Sequence, residues 1–156
     1  MRTWAPVGET PVLVHRLSYI KLSAISAVTD RGKLLMMVRR GTFGKQQIVA
    51  FLRHLLRHLR GRLILVWDNL SAHRSKAVRD FAHLRRRRLS LEFLPAYSPD
   101  LNPDEWVWRR LKHVEMGNFA PKDLAELSTK LRNSVQRIRK RPRLLKSFLE
   151  ASRLSF

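Results

Sequence analysis

The alternation of short apolar runs with amphipathic stretches predicts an α/β domain that opens with a β-hairpin. Two further observations support that class. Asp30-Arg31-Gly32 supplies turn chemistry between the first two apolar runs. The 156 residues are 44% apolar, enough for one domain that buries a real core.

Residues 1 to 16 carry Pro6, Gly8 and Pro11 and read as a loop or irregular hairpin. The segment YIKLSAISAVTDRGKLLMMVRR then gives two strands around the Asp30–Gly32 turn. In QQIVAFLRHLLRHL, Ile48, Leu52, Leu55 and Leu59 recur at helical spacing, and Gly61 supplies a stop. RLILVWDN is a continuous apolar run closed by Asp68, the pattern of a strand buried on both faces. Lys76 to Leu84 has a helical pattern, and LSLEFLP is a further strand stopped by Pro95. After a loop, a helix is expected to run from about Pro103 to Lys112. Leu124, Leu127, Leu131, Val135 and Ile138 mark a longer helix, which Pro142 breaks before a last one in RLLKSFLEASRL. The whole chain, 1–156, is read as a single domain, with a core over about 1–115 and a helical segment over about 119–156.

Charge narrows the partner. Thirty-two Lys and Arg against 12 Asp and Glu leave a formal net charge of +20, which points to a polyanion, most simply nucleic acid. The absence of cysteine excludes a disulfide scaffold and a thiolate zinc site and is compatible with the cytosol. No run approaches the roughly 20 apolar residues of a membrane span, and the N-terminus lacks a signal-peptide core. The expectation is a cytoplasmic protein, associated with the nucleoid when bound to DNA, with no membrane partner.

Two acids stand out in so basic a chain. Asp68 ends a strand, where open α/β sheets place functional groups, and Glu105 lies in the first turn of a helix. Two such carboxylates can hold hard divalent cations through oxygen. A pair of Mg²⁺ ions about 4 Å apart activates an attacking oxygen and stabilises the leaving one on phosphate. Each acid also has a local explanation. Asn102, Pro103 and Glu105 have the spacing of a capping box, and Asp68-Asn69 is suited to a turn. Spacing alone leaves both alternatives open.

The strings LILVWDNLSAHRSKAV and LEFLPAYSPDLNPDEWVWRRLK resemble the DDE transposases of the Tc/mariner superfamily, in particular their bacterial insertion-sequence branch. The matching positions are Asp68, Asn69, His73, Leu94, Pro95, Tyr97, Ser98, Pro99, Leu101, Asn102, Pro103, Glu105 and Trp108. RTWAPVGETPV and GTFGKQQIVAFLRHLL also look like segments of that family, so the resemblance covers nearly the whole chain.

The resemblance implies a ribonuclease-H-like mixed sheet flanked by helices, with extra C-terminal helices. It also implies a three-carboxylate site for two Mg²⁺ (or Mn²⁺) ions, in which Asp68 and Glu105 are the second and third catalytic acids and metal ligands. Asn69, His73, Tyr97, Ser98 and Asn102 are the implied supporting residues. The implied reaction is metal-dependent cleavage of DNA at transposon ends, followed by attack of the freed 3′-hydroxyl on target DNA, with a homodimer in the strand-transfer complex.

One feature departs from the family pattern. The family's first aspartate lies on a central strand upstream of the Arg-Thr-Trp-Ala-Pro segment, which here begins at Arg2. Asp30 cannot replace it, because it sits in the hairpin turn. The expectation is an N-terminally incomplete catalytic domain lacking the first central strand, inactive alone. A transposase segment from a preceding overlapping frame is then a candidate partner. The contrasting expectation is a basic DNA- or RNA-binding protein whose acids only cap and turn.

Among the remaining residues, His54 and His58 stand four apart on a helix but share their face with Arg53 and Arg57, which favours solvent over zinc. Arg85, Arg86, Arg87 and Arg88 form a run able to contact phosphate, and Arg109, Arg110 and Lys112 follow Glu105 as guides for a DNA backbone. Trp106 and Trp108 are able to stack on bases, although Trp108 and Leu111 have the spacing of core anchors.

Overall fold

The computed structural model describes residues 21–152. The expected loop over residues 1 to 16, the RTWAPVGETPV segment and the end of the last helix lie outside the described residues. Strand β1 (Leu22–Val28) pairs antiparallel with β2 (Leu34–Arg40), Val28 opposite Leu34. Helix α1 (Lys45–His58) leads to β3 (Leu63–Trp67), α2 (Lys76–Leu84) and β4 (Leu89–Phe93), which lies parallel to β3. A 3₁₀ turn at Pro99–Leu101 precedes α3 (Pro103–Arg110), which continues as a wide π turn through Leu111–Glu115. Helices α4 (Leu124–Arg139) and α5 (Pro142–Ala151) complete the order, with Pro142 opening α5 rather than merely ending α4.

Among the described residues the strands form two separate two-stranded sheets, β1-β2 and β3-β4. Helix α1 joins them. Its Ile48, Val49, Phe51, Leu52 and Leu55 are buried in one core with Leu35 of β2, Trp67 of β3, Val78 and Phe81 of α2, and Leu89 of β4. A second core packs Leu34 and Met36 of β2 against Val107 of α3, Leu131, Val135 and Ile138 of α4, and Leu145 and Phe148 of α5. β2 therefore has one buried face on each core, because successive strand residues alternate sides.

The expectation that β3 is buried on both faces is corrected. Trp67 is buried and Leu63 and Leu65 pack toward the first core, but Ile64 is 67% exposed. A run of apolar residues cannot report which of its two faces will be covered, and among the described residues only one is.

The hairpin turn is closed by its own backbone bonds and lies close against the start of α5. Thr29 N–H donates to Lys33 O, Gly32 N–H to Thr29 O, and Gly32 has φ +71°. A Cβ on Gly32 would sit 2.5 Å from Pro142 O at the start of α5. Left-handed strain and a backbone clash then combine. Gly32→Ala is expected to destabilise the protein by at least about 2 kcal/mol. Gly41→Ala, with φ +79° and nothing within 4 Å, is expected to show only the strain. Urea midpoints of the two variants check this, and equal losses would exclude the Pro142 contact.

Candidate functional site

A groove of about 840 Å³ runs between β1 and β3. Its walls include Ala24 to Thr29 on one side and Leu63 to Asp68 on the other, with Phe51 and Leu55 of α1 beneath. Each of the two strands pairs with a partner only on its far side among the described residues. Asp68, His73, Asn102, Asp104 and Glu105 also line the groove.

Asp68 follows directly after β3, and its side chain serves two contacts at once. Leu70 N–H donates to Asp68 Oδ1 at 3.2 Å, which is the expected turn. His73 Nδ1 approaches the same oxygen at 2.7 Å. The His73 ring lies flat against Trp67, centroids 4.3 Å apart and planes within 1°. Asp68 is thus oriented by an imidazole that is itself clamped by an indole, while 46% of its side chain stays open to solvent. Asn69 Nδ2 reaches Leu94 O at 3.5 Å, a long contact that ties the ends of β3 and β4.

Glu105 owes its position to Asn102. The Asn102 side chain caps α3 by accepting from Asp104 N–H at 3.1 Å, with Pro103 at the first helical position. The box is not closed by Glu105, because Asn102 N–H donates to Pro99 O instead. The cap and the exposed Glu105 carboxylate are therefore compatible.

The sequence pattern did not single out Asp104. Its Oδ2 accepts from Ser26 Oγ of β1 at 2.8 Å and from Trp108 Nε1 at 2.9 Å, while its Oδ1 is buried without a partner. Burial pushes its carboxyl up to about 6 against the pull of those two donors, and the Glu105 and Asp68 charges add to the rise. The one available signal was the four-residue spacing from Asp104 to an indole N–H donor at Trp108.

Among the described residues no group of three or more histidine, aspartate or glutamate side chains is placed to hold a metal ion. Asp68 and Glu105 offer oxygen donors of the kind Mg²⁺ and Mn²⁺ prefer, so the donor chemistry fits, as part of a set.

The sequence profile of the DDE superfamily endonuclease family matches residues 1–128. The chain belongs to that family. It is 30% identical over 161 residues to the Transposable element Tcb1 transposase of Caenorhabditis briggsae, covering 95% of the present chain and 58% of the relative. It spans little more than half the length of that curated relative. Among solved structures it is similar to the Mos1 mariner paired end complex with Mn, at TM-score 0.61 and 19% identity, over 100% of this chain and 52% of that one. It also matches the catalytic domain of Mos1 mariner transposase at TM-score 0.51 and 18% identity, over 88% and 83%. At such identities the shared property is the fold, ribonuclease-H-like and mixed α/β as expected.

Of the other expected residues, Tyr97, Ser98, Arg109, Arg110 and Lys112 lie apart from the groove, whereas Trp108 lines it. Tyr97 is fully exposed with φ +57°, and Ser98 Oγ donates to Ala96 O at 3.3 Å. Arg109 stacks over Trp106 at 5.1 Å, and Lys112 is exposed. Arg110 Nε lies 3.5 Å from Glu115, which Arg137 also holds at 2.8 Å. Burial opposes ionisation of Glu115, but Arg137 and Arg110 hold its carboxyl below the ordinary range. Trp108 packs on the second core, with Leu111 buried beside it, as core anchors do. His58 Nδ1 donates to His54 O, and burial together with His58, Arg139 and Arg57 pushes His54 below its ordinary value; the positive charge of those arginines also repels a bound cation.

Within the arginine run, Arg88 differs from its neighbours. Its guanidinium donates to Leu59 O at 2.8 Å and Gly61 O at 3.3 Å, satisfying carbonyls past the end of α1. Arg88→Ala is expected to cost about 1 kcal/mol of stability with little change in DNA affinity. Arg86→Ala with Arg87→Ala is expected to do the reverse. Chemical denaturation alongside a salt titration of DNA binding separates the two.

Proposed function

We propose that this chain is the catalytic part of an insertion-sequence transposase of the bacterial branch, acting on DNA at transposon ends and on target DNA. The observation that carries this is the convergence of Asp68, from the end of β3, and Glu105, from the first turn of α3, on one groove in a DDE-family chain. These two residues would hold Mg²⁺ or Mn²⁺, which when bound polarises a phosphodiester and activates the attacking oxygen. His73 and Trp67 orient Asp68, Asn102 sets the turn that carries Glu105, and Arg86, Arg87, Arg109 and Lys112 attract the phosphate backbone.

The groove between β1 and β3 supports the view that a further strand, bearing the family's first aspartate, belongs between these sheets. A segment from a preceding frame is the proposed source, and without it the chain is expected to cleave weakly or not at all. The proposed assembly on DNA is a homodimer, in the cytoplasm or on the nucleoid. The formal net charge of +20 also supports a second reading, a basic nucleic-acid-binding chain without catalysis.

Titration with Mn²⁺ separates the two. For the first, Asp68→Ala or Glu105→Ala abolishes ion binding while DNA affinity remains. Ion binding unchanged in both variants would leave only the second. Robust cleavage of terminal-repeat DNA by the chain alone would remove the requirement for a further strand.

A further inference from the structure

A second groove, of about 550 Å³, lies on the other side of the β1-β2 sheet, between β2 and α4. Its lining includes Arg39 and Arg40 at the end of β2 and Arg132 and Arg139 of α4. Ser128 and Thr129 add hydroxyls, and among the described residues the lining contains no acid. The nearby acids of α4 are used elsewhere: Asp123 accepts from Glu126 N–H, and Glu126 accepts from Lys122 N–H.

Four arginines line this one groove with no acid among its described lining residues, and their like charges repel one another, which is unfavourable unless an anion enters. One of them is fixed in place, since Arg139 Nε donates to Leu34 O at 3.0 Å. The helical row from Ala125 to Arg139 is about 21 Å long, the axial rise of about six nucleotides of one DNA strand. Arg39, Arg40, Thr129 and Arg132 are all exposed.

We infer that this groove is a second DNA-contact surface, which seats the sugar-phosphate backbone of a duplex outside the carboxylate groove. The arginines act as phosphate ligands and the hydroxyls as neutral donors to phosphate oxygens. No base edge is read there, so the contact is independent of sequence. This rests on DNA being the partner, and it adds where a length of duplex remote from the cleaved bond is held.

The test uses the full 156-residue chain and a random-sequence duplex. In the triple variant Arg39→Gln, Arg40→Gln, Arg132→Gln, the slope of log K against log salt is expected to fall by about 2–3. Affinity at low salt should drop at least about tenfold, with the thermal midpoint unchanged. Arg139 is left alone because it also holds the β2 backbone. Thr129→Glu, one exposed substitution, serves as the second variant and should weaken binding without unfolding. An unchanged slope in both folded variants, while the wild type binds DNA, would overturn the groove and leave the proposed function standing. No DNA binding by the wild type would remove both. Loss of binding to duplex RNA with DNA binding intact would also overturn it.

Discussion

Phe51→Ala is expected to destabilise this protein by about 3–5 kcal/mol, a large share of the roughly 5–15 kcal/mol that a domain of this size possesses. Phe51 is 1% exposed and belongs to the core that joins both sheets. Within the described residues β1-β2 and β3-β4 share no ladder of hydrogen bonds, so α1 carries much of the cohesion that a continuous sheet would otherwise provide. Phe51 also lies beneath the groove between β1 and β3, so its removal widens a space already present and the walls have little to collapse onto. Urea denaturation measures the effect. A loss well under 2 kcal/mol would mean that the two sheets hold together by other means. Val135→Ala, in the second core, is the comparison and should cost less, because fewer buried atoms are removed.

Asp104→Asn is expected to remove a pH dependence that the native chain shows between about pH 4 and 6. The Asp104 carboxyl titrates near 6 when folded, against 3.8 for the ordinary group. A raised folded value means that the native state binds more protons than the unfolded one across that window, so stability falls as pH rises through it. Fully present below about 3.8, this contribution is lost above about 6, and the difference amounts to about 3 kcal/mol. Asparagine stays neutral, and its amide oxygen can accept from Ser26 and Trp108. Its NH₂ then meets the position of the unpartnered Oδ1, which returns about 1 kcal/mol of the gain at neutral pH. The variant should therefore be the more stable at pH 7.5 and lose the advantage near pH 4. Thermal midpoints with a chelator present, so that no divalent ion contributes, give the two curves. Parallel curves would show that Asp104 does not titrate on unfolding as proposed.

Much of the fold was legible because its elements are local. The Asp30–Gly32 turn, the Ile48–Leu52–Leu55 face and the Leu124–Ile138 spacing each name an element from neighbours in sequence, and each element formed. Long-range contacts were not legible. Nothing near Ser26 announces a bond to Asp104, and nothing near Arg88 announces the carbonyls past α1. The exposure of Ile64 was hidden for a related reason, since burial depends on what covers a strand. At the carboxylate site the pattern of residues pointed to Asp68 and Glu105, and both line the groove. Asp104 stayed hidden because an acid beside a capping asparagine is ordinary at a helix start.

The contacts that secure the N-terminal hairpin also bear on the order of events during synthesis. Ser26 waits for Asp104, Leu34 for Arg139, and the turn at Gly32 for Pro142. At about 5–20 residues per second, the ribosome needs roughly 5–20 s to deliver the last of these partners. Until then one apolar face of the hairpin has nothing of its own to pack against. The nascent chain is exposed to mispairing over that interval, so conditions that slow elongation lengthen the hazard. Co-translational folding of this chain is expected to finish late, the second core closing only once α4 and α5 have emerged.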